Sequence, residues 1–446
     1  MAADLTRLNV EVTARCNLNC QMCVRHAWQE GLGDMSLGTY RKLLPAFPQL
    51  SSVNLSGIGE PLLHGNIFEM IRLAKKHLPQ KGRLSFTTNA IMINKAMAEN
   101  LVSSGLDDLV VSVDGATSET FSYIRCGASL DHVLESIRLL GEAKKRLKSQ
   151  TPSVGIEFVA MKRNVHELPA LVELAATLGV SFIIVSNVLP HTEDISQQVL
   201  YDFNSNEALE IFNEAKAEAK SRGLTLTYYP EFTHYIQSLF GMPPLRGVIP
   251  DPHSRGENVS SEKEQVLQIL EKAADKAIEQ NVVLNFTKLV PENGTNLATT
   301  LEIFSQAQTS ADKHEIALDL PPLIPNTQRE CGFIRDGICF VSWDGYVRPC
   351  GNLNHSYTCY INGRLKYLTA VSFGNVLKRD LREIWDSEDY RHFREQVDRF
   401  DFAPCGDCNF SDACYFITLP TFKQDCYSYT LPCGDCPWAR GILKCF

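Results

Sequence analysis

Residues 8–23 read LNVEVTARCNLNCQMC. A short β-rich run, 8–12, gives way at once to a polar loop carrying three cysteines. Cys16, Cys20 and Cys23 stand in a C-x3-C-x2-C series, so the first strand of the chain delivers three thiol ligands to one loop. Of the fifteen cysteines, these three open the chain, eleven follow Arg329, and only Cys126 lies between. No secretory signal precedes them, and cytoplasmic thiols stay reduced, so two separate metal regions are predicted rather than a disulfide framework.

Outward from that loop, residues 8 to about 222 alternate β-rich runs with amphipathic helical patterns, the sign of parallel βαβ units. Strands are predicted at 8–12, 53–56, 83–87, 109–113, 154–160 and 182–186, followed by helices at 36–46, 66–78, 94–104, 130–148, 165–178 and 206–222. The fold class is therefore α/β; the family resemblance of the motifs implies its form, a partial (β/α)6 TIM-like barrel with a C-terminal Cys-rich iron–sulfur domain. In such folds the chemistry sits on the loops after the strands' carboxyl ends. Domain limits are predicted at 1–240 for the barrel, 241–330 for a polar helical insertion bracketed by prolines, and 331–446 for the Cys-rich part. Within the insertion, a helix at 262–280 running into VVLNF echoes NEALEIFNEAKAEAKSRGLTLTYY, but an echo one unit long falls short of a repeat.

With 446 residues and 44% hydrophobic content the chain can bury the cores of two or three domains. Its net charge of −9 argues against a general nucleic-acid binder, since phosphate binding needs a positive face. No stretch approaches the ~20 apolar residues of a membrane span, and the start turns polar too quickly for a signal peptide. A cytoplasmic protein with neither a nucleic acid nor a membrane as partner is predicted.

Three thiolates on a four-iron cube leave one iron open, where a substrate can chelate and receive an electron directly. A closed zinc knuckle would need His26 in the odd series C-x3-C-x2-C-x2-H. The cysteine series resembles the signature of the radical S-adenosylmethionine (SAM) superfamily, and the later loops agree. Residues 56–61, SGIGEP, look like the family's GGE-type motif, with Ile58 where a second glycine is usual; the resemblance implies that Gly57, Gly59 and Glu60 lie against the amino group of SAM. It also implies that Asn89 after the third strand, Ser112 and Asp114 after the fourth, and Arg125 in YIRCG bind SAM's ribose and carboxylate. The plain alternatives are an Asp-Gly turn for Asp114 and a surface ion pair for Arg125. Cys126 reads as a small buried hydrophobe. Asn187, His191, Glu11 and Glu157 could reach the barrel mouth or serve only the structure. No G-x-G-x-G opens the first helix, so a Rossmann methyltransferase lacks support.

The late cysteines resemble the SPASM extension, which carries auxiliary iron–sulfur clusters. The matching residues are Cys331, Cys339, Cys350, Cys405, Cys408 and Cys414, with Cys426, Cys433, Cys436 and Cys445 following in place of the usual last ligand. These ten thiols suffice for the eight ligands of two [4Fe-4S] clusters. Cys359 is a spare, and a zinc ribbon built from the two CGDC motifs is the competing reading. Together the resemblances imply a radical SAM enzyme: reduction of the first [4Fe-4S] cluster by a low-potential donor such as ferredoxin or flavodoxin, cleavage of SAM to a 5′-deoxyadenosyl radical, and hydrogen abstraction. CVRHAWQEGLGDM and CGDCPWARGILKC look most like maturases associated with tungsten-cofactor (aldehyde ferredoxin) oxidoreductases, which would make a tungsten oxidoreductase the partner. Rivals are a peptide cross-link or sulfatase-type maturase, and an iron–sulfur or zinc scaffold without SAM chemistry.

Overall fold

The computed structural model describes residues 4–28, 30–201, 206–226, 261–280, 282, 284, 297–326, 329–361, 363–403, 405–407, 414, 416 and 422–444. Six parallel strands follow one another in sheet order: β1 (Arg7–Val10), β2 (Ser52–Asn54), β3 (Arg83–Thr88), β4 (Asp108–Ser112), β5 (Ser153–Ala160) and β6 (Phe182–Asn187). Each agrees with its predicted span to within about two residues. β4, β5 and β6 are apolar and buried along most of their length, as suits a parallel sheet covered on both faces, while β1, β2 and β3 alternate buried with less buried positions.

Between them run α1 (Leu37–Arg41), α2 (Ile67–His77), α3 (Lys95–Ser103), α4 (Ser118–Ile124), α5 (Leu130–Leu147) and α6 (Leu168–Thr177). In α2 the buried Ile67, Met70, Ile71 and Ala74 recur at helical spacing and form its sheet-facing stripe. Asn94 caps α3 by accepting from the Met97 amide at 3.0 Å. After β6 come the single turn α7 (Glu193–Ser196) and α8 (Asn206–Ser221).

α8, expected to cover the sixth strand, packs instead on α9 (Ser261–Glu279). Ile211, Phe212, Ala215 and Ala219 meet Val266, Ile269, Leu270, Ala273 and Ala277 in a small core of their own. The two echoing segments are thus partners, and helical periodicity announces an apolar face without naming what covers it. The helix lying on α6 is α10 (Leu297–Lys313), through Phe304, Ala307 and Ala311, and it leads to β7 (Ala317–Asp319), parallel to β6. Both elements fall within the stretch read as an insertion.

At the other edge of the sheet, the short α11 (Gly332–Arg335) precedes β8 (Ile338–Val341), which pairs in parallel with β1, Leu8 opposite Cys339. β9 (Tyr346–Arg348) runs antiparallel to β8, and β12 (Gly374–Asn375) antiparallel to β9. A separate hairpin joins β10 (Tyr357–Ile361) to β11 (Arg364–Leu368). The Cys-rich region therefore shares the barrel's core: Val341, Val347, Trp385 of α12 (Leu381–Trp385) and Tyr390 of α13 (Glu388–Arg399) belong to the same cluster as Leu8 and Val53. No helix among the described residues is long and apolar enough to cross a membrane.

Candidate active site

The cysteine loop is tied down by its backbone. The Asn19 and Gln21 amides donate to the carbonyls of Cys126 and Ile124, and Cys23 N–H to Cys20 O at 3.1 Å. Arg25 reaches the Leu18 carbonyl at 2.8 Å, and His26 Nε2 lies 2.9 Å from the Cys20 carbonyl. His26 thus holds the loop's backbone, while Cys16, Cys20 and Cys23 all face one cavity of about 470 Å³. Burial pushes the Cys20 thiol up to about 11, opposed by Arg125 and reinforced by Asp114, Cys23 and Cys16; burial also raises Cys23. Burial disfavours the thiolates of Cys20 and Cys23, and a bound cation, which needs deprotonated thiols, would offset that cost. Among the described residues no three His, Cys, Asp or Glu side chains converge as one metal ion requires. A cube spreads its ligands over separate irons, and the three thiols fit it.

The glycine turn after β2 is built onto this loop. Gly59 N–H donates to Thr13 O at 3.2 Å and Glu60 N–H to Arg15 O at 2.8 Å. A Cβ on Gly59 would lie 2.4 Å from Thr13 O and 2.5 Å from Arg15 O, and backbone cannot yield that much. Gly59→Ala is therefore expected to push the turn off the cysteine loop and lower both SAM affinity and the iron retained per chain; wild-type values in calorimetry and iron assay would refute it. Glu60 is turned inward: one oxygen accepts from Leu62 N–H and Thr88 Oγ1, the other from Asn89 N–H at 2.7 Å. Its carboxylate braces β2 against β3, and the residue also lines the cavity.

Asn89 Nδ2 donates to Asn17 Oδ1 at 2.8 Å and lies 3.8 Å from Cys16 Sγ. Ser112 lines the same wall. Asp114, expected to hold a ribose hydroxyl, is fully buried, and both its oxygens are occupied by Arg125 Nε and the Val159 amide. Its role in the structure is to fix Arg125, whose Nη1 lies 3.8 Å from Cys20 Sγ at the cavity. Burial works against the Arg125 charge, and Asp114, Cys20 and Glu157 outweigh it. Glu157, opposite Ser112 on β5, also lines the cavity; burial pushes it up to about 7, with Arg125 opposing. A lone carboxylate inside the apolar run VGIEFVA was its sequence signal. His191 is pushed down to about 4 by burial against the Thr358 carbonyl's opposing pull. Asn187 donates instead to the Pro322 and Ile442 carbonyls, both at 2.9 Å. Phe333, Phe340, Asn352, Tyr357, Trp438 and Lys444 close the cavity from the Cys-rich region; Trp438 and Lys444 belong to the CGDCPWARGILKC stretch, and no motif signalled the other four.

The late cysteines fall into groups different from their sequence order. Cys331, Cys350, Cys433 and Cys436 neighbour one another; burial and then mutual repulsion raise Cys331 (to about 11), Cys350 and Cys433, and burial raises Cys436. Four thiols are the full set for a closed cube. Cys405 packs with Cys414, and Cys414 neighbours Cys426. Cys339, expected to be a ligand, lies apart from both groups: its fully buried side chain sits in the sheet core beside Tyr390, 3.7 Å from the Phe340 carbonyl, and burial pushes it up to about 12. β8 must bury this alternate position against the barrel. Cys408 and Cys445, expected to be ligands, lie outside the described residues.

Over residues 10–175 the chain matches the radical SAM superfamily, and over residues 331–409 the SPASM iron–sulfur cluster-binding domain. It is 26% identical over 445 residues to the tungsten-containing aldehyde ferredoxin oxidoreductase cofactor-modifying protein of Pyrococcus furiosus, covering 98% of this chain and 96% of that protein. It is 27% identical over 195 residues to a probable GTP 3′,8-cyclase of Methanococcus maripaludis, covering 43% of this chain and 62% of that one. Among solved structures, Streptococcus suis SuiB bound to S-adenosylmethionine shares the fold at 14% identity with a TM-score of 0.52, covering 98% of this chain and 78% of SuiB.

Proposed function

The chain belongs to the radical SAM superfamily and carries a C-terminal SPASM domain, and from that premise we propose that it matures the cofactor of a tungsten-containing oxidoreductase. It is a radical SAM enzyme that uses a [4Fe-4S] cluster and SAM together with further iron–sulfur clusters. Bound together, the first cluster and SAM supply a hydrogen-abstracting 5′-deoxyadenosyl radical. Cys16, Cys20 and Cys23 hold that cluster, and the backbone of residues 57–60 with Asn89, Ser112 and Arg125 receives SAM. The observation that carries this assignment is that all of them line one cavity.

Arg125, a guanidinium kept charged by Asp114, offers a fork to a carboxylate. Glu157, raised by burial, can hold a proton beside it. Cys331, Cys350, Cys433 and Cys436 hold one auxiliary cluster; Cys405, Cys408, Cys414 and Cys426 hold a second. Cys350 adjoins Gly351 and Asn352, which line the cavity, so a cluster held by Cys331, Cys350, Cys433 and Cys436 would supply an electron acceptor on the cavity side. A low-potential ferredoxin or flavodoxin supplies electrons.

The tungsten assignment rests on the end-to-end likeness to the Pyrococcus furiosus protein. Its test is to isolate the tungsten oxidoreductase from cells with and without this chain and weigh the released cofactor. A mass difference that the purified, reduced enzyme plus SAM restores in vitro is expected. Identical cofactor from both cells would overturn the assignment.

A further inference from the structure

His355, from the Cys-rich region, is buried with a carboxylate on each ring nitrogen: Glu11 Oε2 at 2.8 Å from Nε2 and Glu30 Oε2 at 2.7 Å from Nδ1. With both carboxylates ionised each ring nitrogen has only an acceptor to face, which favours the protonated ring and raises its pKa against the effect of burial. Trp28 covers it with ring centroids 4.0 Å apart, and Ser356 N–H holds the other Glu30 oxygen at 2.7 Å. Arg348 of β9 supplies a further positive charge near both carboxylates, with Asp344 beside it. Residues more than 300 positions apart thus form one ionic network.

Glu11 leads from this network to the glycine turn. Its Oε1 accepts the Ile58 amide at 3.2 Å, and a Cβ on Gly57 would fall 2.3 Å from Glu11 Cγ. The Glu11 side chain is the template over which residues 57–59 bend, and those residues line the cavity. Resting on the reading that this turn receives SAM, we infer that His355 is a positioning residue for SAM, acting through Glu11 on the turn at residues 57–59. The SPASM segment then sets SAM affinity directly, beyond any service as an electron path.

The test measures SAM binding by calorimetry on the cluster-loaded, anaerobic protein. His355→Ala should weaken SAM binding about 10- to 100-fold, the loss typical when an orienting partner behind a ligand is removed, with iron per chain unchanged. His355→Gln, whose amide can donate to one carboxylate, should recover part of the loss. The carboxylates outweigh burial and raise the His355 pKa, so wild-type binding is complete below that raised value and falls as pH rises through it; His355→Gln should lack that alkaline fall. Because alanine at a buried site can unsettle the fold, the Ile58 amide is also followed by hydrogen exchange in His355→Gln. Faster exchange confined to residues 56–60 supports the inference, and unchanged or uniformly faster exchange overturns it. Wild-type protein that binds no SAM overturns the site assignment and the inference with it. Intact wild-type binding with a His355→Ala affinity within twofold overturns the inference alone.

Discussion

Replacing Cys16, Cys20 and Cys23 together by alanine is expected to abolish conversion of SAM to 5′-deoxyadenosine by the dithionite-reduced protein, while removing only a third of its iron. The three thiols are the cavity's only cysteines among the described residues, so no other thiolate there can take over the cluster. The remaining iron, about 8 of about 12 atoms per chain for three cubes, resides on the late cysteines. Those groups come from other segments of the chain and do not depend on the first loop. Residual turnover in the triple variant would refute the assignment. Retention of one or two zinc ions with almost no iron would make the C-terminal region a structural zinc module.

Asp114→Ala is expected to destabilise the fold by about 3–5 kcal/mol, the cost of stranding a buried charge when its partner is removed. Arg125 loses its carboxylate beside the raised Cys20 thiol, and the Val159 amide loses its acceptor. Had Asp114 held only a ribose hydroxyl, SAM affinity would drop by about 1–3 kcal/mol and stability would not change. Urea unfolding of the SAM-free protein separates the two: a wild-type midpoint rejects the ion-pair role. The double variant Asp114→Leu with Arg125→Met should regain much of the stability, since apolar residues of similar volume replace a buried pair at little cost. It should still bind SAM poorly, because the fork itself is gone.

The local signals in the sequence reached as far as local physics does. The six strands, their helices and the C-x3-C-x2-C loop were legible because periodicity and ligand spacing are properties of a dozen neighbouring residues. The loop order followed, since successive parallel strands send their carboxyl ends to one rim. Partnership between distant segments was not legible. Asp114 and Arg125, only 11 residues apart, each carried a polar signal that suited a ligand as well as it suited the other. Cys339 and Cys350 look equivalent in a row of thiols, yet the pairing of β8 with β1 sends one into the sheet core and leaves the other with Cys331, Cys433 and Cys436.

The same holds for α8, whose apolar stripe could have met the sheet and meets α9. Glu11 and His355 gave least warning. A carboxylate just past a strand and a histidine in a loop become a single buried unit only when the sheet closes over residues more than 300 apart. Sequence alone therefore decided which chemistry this protein carries, because three thiols on one loop are a local fact. The tertiary structure alone decided which side chains touch that chemistry and which hold them in place, because burial and charge pairing exist only once distant segments meet.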